Sequence, residues 1–391
     1  MEGSTKSAKY FIFAFSGLAI LAILAIGGAG QVKGGLDMVS NPENSSTGNN
    51  PAVFEQDFSQ SIPAETEADI DMSHSHGNIT VKGWDKDEVK LEGKKIVKAR
   101  DEETAQMYAE QMRVEMKPED GRIVVKTIRP ERDEAWEIKQ ITINYELYAP
   151  KRLNIALKNE HGNVSVEDFM GKLDSTSRHG NLQVARIGGD SSIRHEHGNV
   201  EVSQIGGDAT VSKRHGNLKI NSVDGKLKLN HEHGTVDLSA IGKDADITKR
   251  HGKLTAVNID GMLKLDHEHG NADLSMIGKG AEITQRHGKL IAVNVSGMVK
   301  LDHEHSNVQL KSIEGDVEIH KQHGNIDIES VNGNLTIQSD HGNLKILDVE
   351  GDVYLRGSHG NAHVENVSGS VDASRSHGKV RLHNVEGVVS R

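Results

Sequence analysis

The sequence predicts an all-β protein: a parallel β-solenoid (β-helix) with 18-residue rungs and an N-terminal cap with a short helix, preceded by one transmembrane helix. Three observations carry that expectation. A histidine recurs every eighteen residues, at 161, 179, 197, 215, 233, 251, 269, 287, 305, 323, 341, 359 and 377, with no break in register; apolar residues alternate on both sides of it; and charge alternates from one repeat to the next. A fixed short period determines architecture before any single residue can be interpreted.

From the N-terminus, residues 1–9 form a short cytoplasmic segment and residues 10–30 are uncharged and apolar over about the length needed to cross a bilayer. Lys6 and Lys9 precede that run, which favours an N-terminus left in the cytoplasm and a chain exported beyond it. A cleaved signal peptide, with Gly28-Ala29-Gly30 as the small-residue cleavage region, is the alternative. Both readings place the remainder outside the cytoplasm, in a bacterial cell envelope, facing the periplasm or the surface. Residues 31–53 are polar and turn-forming and read as a flexible linker.

Residues 54–160 read as the cap and the first rung. His76-Gly77-Asn78-Ile79-Thr80-Val81 matches the repeat, strands are expected at 89–97, 122–128 and 141–148, and DEETAQMYAEQM (101–112) has the acidic start and good helix formers of a short surface helix. A cap is needed because an uncovered terminal rung invites edge pairing. The solenoid then occupies 161–391. No second cap is legible before Arg391, which leaves that end as a surface for self-association.

Within a repeat, with the histidine as position zero, apolar residues return at plus three and plus five (Val200 and Val202, Leu218 and Ile220), the alternation of a half-buried strand. Plus eight is Ile or Val from Ile187 to Val385, with Phe169 as the exception. Plus ten is usually Gly, and plus twelve and fourteen are again apolar (Leu227 and Leu229, Leu263 and Leu265). Each unit therefore reads strand, turn, strand, turn, and buries its apolar face only by stacking on its neighbours.

Charge decides between a coil of eighteen residues and one of thirty-six. The residue before the histidine runs Arg178, Glu196, Arg214, Glu232, Arg250, Glu268, Arg286, Glu304. An eighteen-residue coil stacks Glu on Arg at about 4.8 Å, whereas the longer coil stacks like on like. Plus twelve alternates small and large as well (Ala209, Leu227, Ala245, Leu263, Ala281), as neighbours sharing one thin core require. Thirteen such rungs extend for about 60 Å.

Composition excludes several classes. The 391 residues contain no Cys, which removes disulfides, thiolate metal sites, a cysteine nucleophile and a lipobox anchor. Lys and Arg number 46 against 57 Asp and Glu, for a net charge of −11, and no basic stripe with aromatic stacking points to nucleic acid. The acidic residues are spread as ladders and do not converge as an acid/base pair, no nucleophile elbow is present, and the G-G-x-G-x-D motif of calcium rolls is absent. Catalysis is not expected.

The segment DMSHSHGNITVKGWDKDEVKLEGKKIV and, after an insertion, ITINYELYAPKRLNIALKNEHGNVSVEDFMG resemble the bacterial putative-adhesin domains of unknown function, relatives of the autotransporter adhesin-head repeats. The resemblance spans roughly residues 54–391. It implies an envelope β-solenoid, often behind a single membrane anchor, that binds a surface, glycan or protein partner, and it brings no catalytic residues. An end-to-end structural scaffold is the alternative. This chain departs from the pattern by placing His where relatives have Asn, Ser or Thr before the Gly.

Three readings of the histidines follow. A residue that repeats before a turn glycine can simply form a stacked ladder that fixes the corner, and Asn at plus two supplies a second ladder. The i, i+2 pairs His195 and His197, His231 and His233, His267 and His269, and His303 and His305 are candidate metal ligands if the strand is regular there, and imidazole suits Zn, Cu or Ni. A proton response is the third: protonating all 22 histidines would move the charge from −11 to +11 (−11 + 22), and rings about 4.8 Å apart resist charging together.

Overall fold

The computed structural model describes residues 51–64, 69–131 and 137–390. The apolar run 10–30 and most of the linker lie outside the described residues. Among the described residues no helix is long and apolar enough to cross a membrane.

The first half of the described cap is antiparallel. Strand β1 (Ala52–Pro63) pairs along its whole length with β4 (Glu88–Ala99), which pairs in turn with β7 (Gln140–Pro150). Helix α1 (Glu102–Gln111) packs on β1 and β4; Asp101 caps it by accepting from the Thr104 N–H at 2.8 Å, and Glu102 and Glu103 complement the dipole. At its other end Lys95, almost fully buried, donates Nζ to the carbonyls of Ala109 (3.0 Å) and Met112 (2.6 Å) and to Gln56 Oε1 (3.0 Å). β1 has no counterpart among the strands expected from sequence, and its first two residues fall in the expected linker. Its inward face reads Ala52, Phe54, Gln56, Phe58, Gln60, Ile62, so two glutamines interrupt the apolar alternation that would have announced it.

The first parallel rung, β2 (Asp69–His76) and β3 (Ile79–Trp84), lies between two others. On one side it meets β6 (Arg122–Ile128) and β7; on the other it meets β8 (Ile155–His161) and β9 (Val164–Phe169). β5 (Arg113–Glu119) edges this sheet by an antiparallel pairing with β6. The cap is therefore an insertion within the solenoid register: His76 pairs with His161 as each later histidine pairs with its successor.

Beyond β9 every rung repeats a seven-residue strand ending at the histidine, such as β10 (Leu173–His179), and a six-residue strand, such as β11 (Leu182–Ile187). The histidine-bearing strands form one parallel sheet and the six-residue strands another, each in strict eighteen-residue register, as Leu173↔Ser191 and Leu182↔Val200 show. The one-rung-per-eighteen reading holds. Arg178 lies 3.6 Å from Glu196, Arg214 lies 3.7 Å from Glu232 and Arg250 lies 3.5 Å from Glu268. Ala209, Leu227, Ala245, Leu263 and Ala281 stack in one buried row.

One feature of the corners was not legible. Plus seven takes a positive φ in every repeat from Asp168 (69°) to Asn384 (52°), although it carries Arg, Gln, Ser, Ala, Asn, Met or Asp and never Gly. That kink turns both plus five and plus eight toward the core, where strict alternation would send plus eight outward. The asparagines at plus two form the second ladder that their repetition implies. Asn163 Oδ1 accepts from the Asn181 N–H (2.8 Å), and Asn181, Asn199, Asn325 and Asn343 do the same for the next rung. A further ladder at plus eleven uses Asp and Asn in the same way, as in Asp208 Oδ1 with the Lys226 N–H at 2.8 Å.

Candidate functional site

The histidines before the turn glycine form a continuous stack along one corner, from His76 and His161 to His377, with ring centroids 4.6 to 5.0 Å apart. They are half-buried or exposed. From His161 onward successive rings lie within 7° of parallel, except His287 and His305, which are tilted by 26°. His179, His215 and His251 are held below the usual imidazole value, first by desolvation and then by the neighbouring rings.

The glycine after each histidine explains the corner's tightness. Gly216 has φ +102°, and a Cβ there would overlap the carbonyl oxygen of Gly198 one rung earlier. Ser306 is the exception, a non-glycine residue at φ 99°. Chain direction at this corner also decides where the position two before the histidine points, and it points inward. The resulting column is His74, Asn159, Ser177, His195, Lys213, His231, Lys249, His267, Gln285, His303, Lys321 and Ser339, all buried.

The members of each i, i+2 pair are therefore separated. His195, His231, His267 and His303 sit in the core, whereas His197, His233, His269 and His305 belong to the outer stack. The strand does not continue regularly into the turn, so the sidedness assumed for the pairs fails there.

The buried column braces the turn carbonyls. His231 Nε2 donates to Gly216 O at 2.9 Å, and His267 and His303 donate to Gly252 O and Gly288 O at 3.0 Å. A carbonyl only accepts, so these rings carry their proton on Nε2, which frees Nδ1 as an acceptor. Lys249 donates to His231 Nδ1 at 3.2 Å and Lys321 to His303 Nδ1 at 3.0 Å. Each ammonium is further held by two carbonyls: Lys249 by Gly234 O (2.6 Å) and His251 O (2.8 Å), Lys321 by Ser306 O and His323 O. Where the next rung supplies Gln285, its amide goes to Gly270 O and Gly288 O, and His267 Nδ1 is left without a partner. Among the described residues neither nitrogen of His195 makes a hydrogen bond of normal geometry. At Gly357 the column has no side chain, and Arg375 reaches back to Gly342 O at 3.2 Å in its place.

Burial sets the protonation of this column. Desolvation comes first in pulling His74, His195, His231, His267 and His303 down to about 4, and the cations of the adjacent rungs or loops act in the same direction. Desolvation likewise lowers Lys213, Lys249 and Lys321 to about 8. At neutral pH the imidazoles are neutral and the lysines are mostly charged.

A parallel stack is a poor chelator. Two nitrogens on one Zn lie at most about 4.2 Å apart, twice the metal–nitrogen distance, and equivalent atoms on parallel rings one rung apart are farther than that. Among the described residues one group brings three ligand atoms within 4.8 Å of one another: His287, Glu304 and His305. From the sequence His305 belongs to a candidate pair, and Glu304 joins it only if the corner turns it inward.

No family model and no curated protein matches the chain. Solved structures that it is similar to include a putative cell adhesion protein from Clostridium sporogenes (9% identity, TM-score 0.27, 59% of this chain and 100% of that one). A putative adhesin from Bacteroides fragilis (11%, 0.25, 73% and 97%) and one from Parabacteroides distasonis (14%, 0.20, 84% and 97%) are others.

Proposed function

We propose that this chain is an adhesin-like binding module of the bacterial cell envelope that engages an extended anionic surface polymer, such as an acidic polysaccharide, by binding rather than catalysis. One observation carries the reading. On the outward face of the histidine-bearing sheet, next to the cap, runs a groove of about 610 Å³ in which Arg129, Lys158, Arg178, Arg194 and Arg214 outnumber Glu160, Glu196 and Glu232. A locally basic groove on a chain of net charge −11 favours a polyanion, and Ser73, Thr127, Thr176 and Ser212 add hydroxyls suited to sugar.

The eighteen-residue period supports an extended ligand, because equivalent positions return every rung along one sheet face. A single small molecule would need convergence, which the ladders do not provide. Placement outside the cytoplasm rests on the apolar run 10–30 with Lys6 and Lys9 before it.

The test is binding of the full-length chain to immobilised acidic and neutral polysaccharides at rising salt. Selective, salt-sensitive retention on the acidic polymers, lost when Arg178, Arg194 and Arg214 are changed together to Ser, is the expected result. Equal retention on neutral polymers, or retention indifferent to the three substitutions, would sink the proposal. Protease accessibility in intact cells tests the location separately.

A further inference from the structure

From His161 to His377 the outer histidine stack is uniform except at one place, and three irregularities coincide there. The rings of His287 and His305 are tilted by 26° where the other pairs of the repeat run lie within 7° of parallel. The turn residue after His305 is Ser306 at φ 99° instead of glycine. The Arg and Glu alternation also ends at Glu304, because the equivalent residue of the next rung is Gln322. Ser306 and Gln322 are legible in the sequence, but the ring tilt is not, and only the fold places all three around one point.

Their joint effect is on Glu304. Two rungs earlier, Glu268 is held between Arg250 and Arg286, both at 3.5 Å. Glu304 has Arg286 on one side at 4.0 Å and neutral Gln322 on the other, and it turns toward its neighbour, with Oε2 3.9 Å from His305 Nδ1. Arg286 keeps Glu268 as a closer partner, so releasing Glu304 leaves no cation stranded. The nearest interior cation, Lys321, spends its ammonium on His303 Nδ1 and on the carbonyls of Ser306 and His323.

We infer that His287, Glu304 and His305 form a binding site for a single borderline divalent cation, with Zn as the ion the donor set fits best. Two imidazoles and a carboxylate are a recurrent ligand set for Zn, which takes nitrogen at about 2.0–2.1 Å and oxygen at about 2.0–2.2 Å. A tetrahedral site needs these donors about 3.4 Å apart. They already lie within 4.8 Å of one another, and the Glu304 and His305 side chains are 42% and 48% exposed, so rotation about side-chain bonds closes the gap without moving the core. The fourth position is left to water or to a donor from a binding partner. The untilted, Arg-bracketed rungs do not offer this geometry. The site does not depend on the polysaccharide reading, and either can fail without the other.

Metal-free full-length chain is titrated with Zn by calorimetry, with Co as a spectroscopic substitute that reports coordination number. One equivalent binds at about micromolar affinity or tighter, with a tetrahedral Co spectrum. Glu304→Gln, His287→Asn and His305→Asn each raise Kd by about tenfold or more. The paired control Glu268→Gln with His269→Asn leaves it unchanged, and unaltered far-ultraviolet circular dichroism shows that every variant remains folded. Ser306→Gly, which restores the repeat's own turn, weakens binding as well. No binding, several equivalents spread along the stack, or affinity indifferent to Glu304→Gln would overturn the assignment.

Discussion

Two histidine columns run side by side along this solenoid, two residues apart in sequence, and the same side chain does different work in each. The inner rings of His231, His267 and His303 are sealed in the core, carry one proton on Nε2, and hold a turn carbonyl. The outer rings of His233, His269 and His305 are exposed at the corner and touch mainly each other. The difference teaches that a repeated residue type is not a repeated role. What separates the columns is the direction of a glycine carbonyl, which needs a donor from inside the core.

The comparison breaks most visibly in acid. The inner imidazoles have folded values near 4 against an ordinary 6.5, so the unfolded chain binds more protons between those limits. Their contribution to stability is complete above pH 6.5 and is lost as pH falls toward 4. A tenfold difference in proton affinity between the folded and unfolded chain is worth about 1.4 kcal/mol, so several such groups remove a large share of a typical folding free energy. Thermal melts across that window should show a steep fall in Tm; a flat profile would contradict neutral inner rings. The inner lysines, lowered to about 8, make stability rise with pH from there toward 10.5.

Next in size is the glycine on which both columns depend. Gly252→Ala places a Cβ on the Gly234 carbonyl at φ +104° and should cost about 3–4 kcal/mol, measured by denaturant unfolding. Lys249→Ala deprives His231 Nδ1 and the carbonyls of Gly234 and His251 of their donor. Because it also removes a buried charge, the net loss should be smaller, about 2 kcal/mol. The outer column sets the lower limit. His251→Asn, on the exposed stack, should change stability by less than about 1 kcal/mol. A larger loss there than at Lys249 would reverse the assignment of architecture to the inner column.

Much of this arrangement could be read from residues in order. The eighteen-residue rung, its register, the stacking of Arg178 on Glu196 and the small-on-large row from Ala209 to Ala281 follow from counting, because parallel stacking converts sequence period directly into neighbours. The helix at Glu102–Gln111 and the strand at Arg122–Ile128 were legible from local composition. The strand β1 was not, since Gln56 and Gln60 occupy half-buried positions and gain their meaning only from β4, α1 and β5, as the bonds of Gln56 to Lys95 and Gln60 to Val114 show.

The sequence by itself determined the period, the register and the apolar rows, all of which depend on spacing alone. The tertiary structure decided which histidine of each pair enters the core and where His287, Glu304 and His305 converge. Those outcomes depend on backbone direction at corners with positive φ, where two-residue alternation no longer tells inside from outside.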